Sequence, residues 1–231
     1  MRPLAWRTSS KHRKLPVRGR WSFLLEVTYI FVIATVASLL VKTLLVQSFF
    51  IPSGSMEPIL HGCERCANND RVLVNKLTTR MGGVHRGDIV VFRDSDGWLQ
   101  GAPSSATPEK QSPVHEALAF LGFAPSSSEN HLVKRVIGVG GDTVEGRGGK
   151  VYVNGTLIEE PYVFPGNSAS DTDFQVTVPT EKLWVMGDHR NASADSRFHQ
   201  GGPGKGFVPV EEVVGRAFAI VWPLGRVGSL G

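Results

Sequence analysis

Ser55 sits in Ile51-Pro52-Ser53-Gly54-Ser55-Met56-Glu57-Pro58, a tightly turned, hydroxyl-rich loop, and Lys134 opens an apolar stretch, His131-Leu132-Val133-Lys134-Arg135-Val136-Ile137-Gly138. A serine hydroxyl is a weak nucleophile until a base takes its proton. Lysine in water is a poor base, because at neutral pH nearly every molecule carries the proton already. Burial disfavours the ammonium and lowers its pKa toward the range a general base needs. A serine beside such a neutral amine becomes a nucleophile without any histidine. A third block, Gly187-Asp188-His189-Arg190-Asn191-Ala192-Ser193-Ala194-Asp195-Ser196-Arg197, follows an apolar stretch and is dense in hydroxyls, with an Asp and an Arg two apart. Such a loop can hold a lysine amine by hydrogen bonds while Asp195 and Arg197 fix the loop's own shape.

Each block also has a plainer reading. Ser55 suits a Gly/Ser/Pro turn, Lys134 suits a strand-edge charge that discourages pairing, and residues 187–197 suit a polar hairpin loop. His189 and His199 invite a Ser-His-Asp reading, but no Gly-x-Ser-x-Gly elbow supports one.

The element that precedes Ser55 decides where such chemistry would take place. Phe23 to Val46 is the one long apolar run; from Val27 to Leu45 its single charge is Lys42, near the end, where the butyl stem can snorkel to headgroups. A hydrocarbon core needs about 20 largely apolar residues. The first 20 residues carry seven basic side chains (Arg2, Arg7, Lys11, Arg13, Lys14, Arg18 and Arg20) and no acid. The positive-inside rule then keeps the N-terminus cytoplasmic and sends the chain after Val46 across the membrane. A cleaved signal is one rival, but the run exceeds an h-region of about 7–15 residues, and Val46-Gln47-Ser48-Phe49-Phe50 offers no small-x-small site; a buried core helix is the other, and it would not explain the basic, acid-free flank. The expected organisation is a basic cytoplasmic tail over 1–22, a transmembrane signal anchor over 23–46 and an extracytoplasmic catalytic domain over 47–231, single-pass in the plasma membrane and in contact with its lipid.

Charge follows the same division. The chain is +4 overall, yet without the seven N-terminal bases 18 Lys and Arg face 21 Asp and Glu. The basic balance therefore belongs to the tail. No nucleic-acid partner is expected, since the remainder carries no basic face.

The remainder reads as mainly β, an antiparallel sheet domain. Asp70–Leu77, Asp88–Phe92, Val133–Val139, Phe174–Val178, Leu183–Met186 and Val213–Trp222 are strand candidates, and Asn154-Gly155 between Lys150–Val153 and Thr156–Ile158 is a hairpin signal. A loop insertion is expected over 94–131, read as a mobile surface loop from Ser95 to Asn130 with one short helical pattern at His115–Phe123. Cys63 and Cys66 form Cys-Glu-Arg-Cys with neither a second Cys pair nor a following His at finger-like spacing, which argues against structural zinc. On the oxidising side of a membrane the expectation is a small disulfide that pins the loop; two unpaired thiols are the alternative. No metal and no cofactor are expected.

The three blocks, in this order behind an N-terminal anchor, resemble the type I signal peptidases, membrane-anchored serine proteases that remove signal peptides from exported preproteins. The resemblance rests on Pro52-Ser53-Gly54-Ser55-Met56-x-Pro58, on Lys134–Gly138 with Gly141-Asp142, and on Gly187-Asp188-x-Arg190-x-x-Ser193-x-Asp195-Ser196-Arg197, with support from Gly87–Phe92 and Val214–Ala217. It implies a signal-peptidase-like β domain with Ser55 as the acylated nucleophile and Lys134 as the general base. It further implies a Ser53 hydroxyl in the oxyanion hole beside the Ser55 amide, Ser193 orienting the Lys134 amine, and Asp195 with Arg197 bracing that loop. Phe49, Ile51, Pro52, Met56, Leu60, Leu132 and Val133 would shape shallow pockets for small side chains, giving cleavage after Ala-x-Ala sites. Asn191-Ala192, where many relatives read Asp-Asn, and the Cys-Glu-Arg-Cys insert depart from the pattern. The alternative function is a non-catalytic, membrane-anchored β scaffold or binding module. Such a module has no use for Ser55 and Lys134 together.

Overall fold

The computed structural model describes residues 20–63, 66, 68–77, 82–99 and 131–230. The chain divides into two compact units, Met1–Leu39 and Leu40–Gly231. Helix α1 covers Arg20–Leu45, about 39 Å at the standard rise per residue. Its large apolar side chains from Phe23 to Val36 are exposed. The Thr28 and Thr35 hydroxyls donate back to the carbonyls of Leu24 and Phe31, so neither needs water. Among the described residues no helix is long and apolar enough to cross a membrane; the side chains at 20–22 and 40–44 of α1 lie outside the description.

The second unit is built from two antiparallel sheets. The larger takes the order β1 (Val46–Phe50), β2 (Arg71–Asn75), β11 (Val213–Trp222), β3 (Ile89–Arg93), β4 (His131–Val139), β9 (Lys182–Met186) and β10 (Val208–Pro209), with β12 (Gly228–Ser229) on β11. The smaller orders β7 (Thr156–Leu157), β6 (Lys150–Val153), β5 (Thr143–Arg147) and β8 (Phe174–Thr177).

Side-chain alternation explains why β3 and β9 are apolar without a break. Ile89 and Val91 pack with Phe49, Ile51, Val72 and Val74, whereas Val90 and Phe92 pack with Val136, Leu183 and Val185. In β9, Leu183 and Val185 join that second cluster, and Trp184 and Met186 join a third with Val144, Val151 and Val153. Both strands are buried on both faces, so a period of two cannot show in their hydropathy. Asn154 and Gly155 both take positive φ, as the tight turn between β6 and β7 requires.

Two expectations need correction. Strand β1 is not among the expected strands: the apolar run is read to end at Val46 and the domain to begin at Gln47, yet Val46–Phe50 pairs along its whole length with β2. The insertion is not loose from its first residue. The Asp94 carboxylate accepts the Trp98 and Leu99 N–H groups, and Trp98 meets Phe92 edge-on and stacks on His199. The helical pattern at His115–Phe123 lies outside the described residues.

Candidate active site

A short 3-10 turn, Gly54–Met56, follows β1 and carries Ser55. Beneath it Phe49, Ile51, Met56 and Leu60, none more than 2% exposed, form one cluster with Val72 and Val74. Strand β4, between β3 and β9, carries Lys134 opposite Val90. The two residues meet although 79 positions separate them: Lys134 Nζ donates to Ser55 Oγ at 2.7 Å. Ser53 Oγ lies 3.2 Å from the same oxygen. Ser55 is buried and Lys134 is 3% exposed. Desolvation therefore dominates and pulls the Lys134 amine down from 10.5 to about 8, with Asp195 and Asp188 pulling weakly back.

The loop after β9 closes around this pair. Gly187 sits so near it that a Cβ there would run into Ser193 Oγ and lie 2.5 Å from the Ser55 carbonyl oxygen. Only glycine fits. Asp195 accepts the Gly187 N–H at 3.0 Å and both Nε and an Nη of Arg197 at 2.9 Å, and Arg197 donates on to the Arg190 carbonyl at 2.8 Å. Asp195 and Arg197 thus pair directly inside this loop. Ser193 is buried, but its hydroxyl has no hydrogen-bond partner, so the bond to Lys134 that the resemblance implies is not formed.

Of the apolar set named for substrate pockets, the structure gathers Phe49, Ile51, Met56 and Leu60, with Val133 packed against them; Leu132 packs into the other cluster, with Phe92 and Val136. Pro52 is half-buried beside the serine turn. Cys63 and Cys66 are joined by a disulfide with Cα atoms 5.4 Å apart. Neither histidine near the site bonds to Ser55 Oγ: His189 Nδ1 faces the Gly54 carbonyl at 3.3 Å, and His199 Nδ1 meets the Asp195 carbonyl at 2.8 Å. Among the described residues no cluster of His, Cys, Asp and Glu could hold a metal ion.

Sequence reasoning missed a buried ionic layer that begins at Arg135, the chain neighbour of Lys134. Arg135 forks onto Asp188 at 2.8 and 2.6 Å, donates to the Gly87 carbonyl, and lies 4.0 Å over the Tyr162 ring. Arg190 pairs with Glu160, which also accepts the Tyr162 hydroxyl. Burial pushes the Asp188 carboxyl above its usual range even with the Arg135 fork on it. Arg135 and Asp188 stood inside the quoted motifs without a role; Glu160 and Tyr162 carried no periodic or motif signal at all.

The family described as signal peptidase, peptidase S26, matches residues 24–222. The chain belongs to that family. A signal peptidase I of Mycobacterium tuberculosis (strain CDC 1551 / Oshkosh) is 42% identical over 229 residues, covering 92% of this chain and 77% of that protein. A probable signal peptidase I of Mycobacterium leprae (strain TN) is 40% identical, covering 91% and 80%. A solved signal peptidase I from Enterococcus faecalis V583 is 26% identical and covers 58% of this chain and 95% of that one, with a TM-score of 0.37. With the signal peptidase family comes the reaction class: the protein is a serine peptidase, a hydrolase.

Proposed function

We propose that this signal peptidase is a membrane-anchored endopeptidase that removes N-terminal signal peptides from exported preproteins after small-x-small sites, using Ser55 and Lys134. One observation carries the reading: a buried amine with pKa near 8 lies 2.7 Å from a buried serine hydroxyl. With the amine neutral, the same contact runs the other way and Lys134 accepts the Ser55 proton. Oγ attacks the scissile carbonyl carbon, and the negative charge gathers on the former carbonyl oxygen, where the Ser55 N–H and the Ser53 hydroxyl would donate. The Lys134 ammonium returns its proton to the leaving amine, and an acyl group remains on Ser55. A water molecule, deprotonated by Lys134, then attacks the ester carbon; the bond to Ser55 Oγ breaks, the Lys134 ammonium returns its proton to that oxygen, and the signal peptide leaves with a new carboxylate. No step needs a cofactor.

The 26 residues of α1, their exposed apolar side chains and the basic flank before them support a single-pass anchor with the catalytic domain outside the cytoplasm. A signal peptide's own apolar core would lie in the same bilayer and present its small-residue site at similar depth. The half-buried Pro52 and Val133 support shallow subsites that admit Ala and exclude larger groups by overlap. The test is a fluorogenic Ala-x-Ala peptide offered to the full-length protein in detergent. Wild type should cleave it and Ser55→Ala should not; cleavage by Ser55→Ala, or cleavage of a Leu-x-Phe analogue as fast as the Ala peptide, would sink the reading.

A further inference from the structure

We infer that His189 is a positioning residue for the oxyanion hole, acting through the backbone of Ser55. The inference rests on Ser55 as nucleophile. The Gly54 carbonyl and the Ser55 N–H belong to a single planar peptide unit, so fixing the oxygen fixes the direction of the N–H. His189 Nδ1 lies 3.3 Å from that carbonyl oxygen. A carbonyl only accepts, so the contact requires the ring's hydrogen on Nδ1. A hydrogen bond at the oxygen also polarises the peptide and strengthens its N–H as a donor. The N–H in question is the one expected to meet the oxyanion.

His189 grips the same residue a second time. Its own backbone N–H donates to the Ser55 carbonyl at 3.1 Å. The peptide planes on either side of Ser55 are therefore both held by position 189. The ring is itself fixed, stacked on Phe164 with centroids 4.1 Å apart and planes 9° apart, and the Phe164 N–H donates to the Asp188 carbonyl at 3.0 Å. Glu57 Oε2, at 3.9 Å from Nδ1, is the other acceptor nearby and stands outside hydrogen-bond reach. Of these two oxygens only that of Gly54 is within hydrogen-bond distance of Nδ1; Glu57 meets it as a long ion pair when the ring is protonated.

Three substitutions separate the hydrogen bond from the packing. His189→Asn gives up the stack but keeps a donor where Nδ1 stands; His189→Phe keeps the stack without the donor; His189→Gln moves the donor one atom outward. Steady-state cleavage of an Ala-x-Ala peptide by full-length protein in detergent should show Asn within about threefold of wild-type kcat. Phe and Gln should lose about tenfold or more in kcat with KM within about twofold, as expected when a transition-state contact is misaimed rather than removed. Thermal unfolding checks that each variant is folded, and the Asn–Gln pair carries the comparison if Phe is not. Wild-type kcat in the folded Phe variant, an Asn variant no faster than Gln, or a loss confined to KM overturns the inference. Ser55→Ala runs alongside: if it is inert while the Phe variant keeps full kcat, only the role of His189 falls, whereas an active Ser55→Ala would remove the catalytic reading itself.

Discussion

Lys134 and Arg135 are neighbours on one strand, both buried, and the protein treats their charges in opposite ways. A carboxylate fork, a carbonyl and an aromatic face surround the Arg135 guanidinium. Lys134 has no carboxylate within bonding distance among the described residues; its partner is a serine hydroxyl, and its amine falls toward neutrality. A guanidinium cannot lose its proton at any usable pH, so an arginine inside a protein has to be paired. An ammonium can, so a lysine can be left unpaired and become a base. On the proposed function, structure and chemistry are divided between two adjacent side chains.

The sharpest way to break this comparison is to give position 134 its neighbour's chemistry. Lys134→Arg should lower kcat/KM by about 10²–10⁴, the usual span of a general base, in a protein that still folds. The assay is peptide cleavage beside a circular-dichroism melt. Activity within tenfold of wild type would end the assignment of Lys134 as the base.

Position 135 offers the converse. Arg135→Met leaves Asp188 buried without its fork, and breaking a buried pair from one side costs about 3–5 kcal/mol. Urea unfolding measures the loss. A melt unchanged from wild type would mean that the ionic layer that begins at Arg135 contributes nothing to stability, and the contrast between the two positions would fail.

That contrast also marks how far the sequence can be read. Ser55, Lys134 and the Gly187–Arg197 loop are visible because each chemistry requires particular residues at short spacing. Strands β2, β3, β9 and β11 are visible because alternation or an unbroken apolar run survives in one dimension. Strand β1 is not, since Val46-Gln47-Ser48-Phe49-Phe50 is short and shows no alternation of polar and apolar residues. The Glu160–Arg190 and Asp188–Arg135 pairs span 30 and 53 residues, and nothing in either segment points to its partner. In sequence His189 suggests only a member of a Ser-His-Asp triad. Its meaning lies in which carbonyl it faces, and that depends on how two loops from distant parts of the chain close on each other.

Lys134→Met should move stability the other way from Arg135→Met. The folded amine sits near 8 and the unfolded one near 10.5. Below pH 8 both states bind the proton, and the fold bears the whole penalty of a buried ammonium, about 3 kcal/mol. Between 8 and 10.5 the folded state has released its proton and the unfolded state has not, so wild-type stability rises with pH; above 10.5 the penalty is gone. Methionine fills similar space without a charge. The substitution should therefore abolish activity yet stabilise the protein by about 1–3 kcal/mol at pH 7, with the gain shrinking toward pH 10. A variant less stable than wild type at pH 7 would show that the ammonium is well solvated where it lies.

The smallest effect is the most direct report on the amine. If the free enzyme must hold Lys134 neutral, kcat/KM follows the neutral fraction: it rises about tenfold per pH unit below 8 and flattens above it. At pH 7 only about a tenth of the molecules are then competent, about half are at pH 8, and about nine-tenths at pH 9. The direction of the limb separates Lys134 from a carboxylate base, whose profile would already be flat by pH 7. Its position separates a buried lysine from an exposed one, whose rate would still climb about eightfold between pH 9 and 10. The profile needs a substrate with no titrating group between pH 6 and 10, such as a capped Ala-x-Ala peptide with an uncharged x, and the disulfide kept intact by omitting thiols. A limb that continues to rise past pH 9 would place the amine in water, and Lys134 would then be no different from any other lysine in the chain.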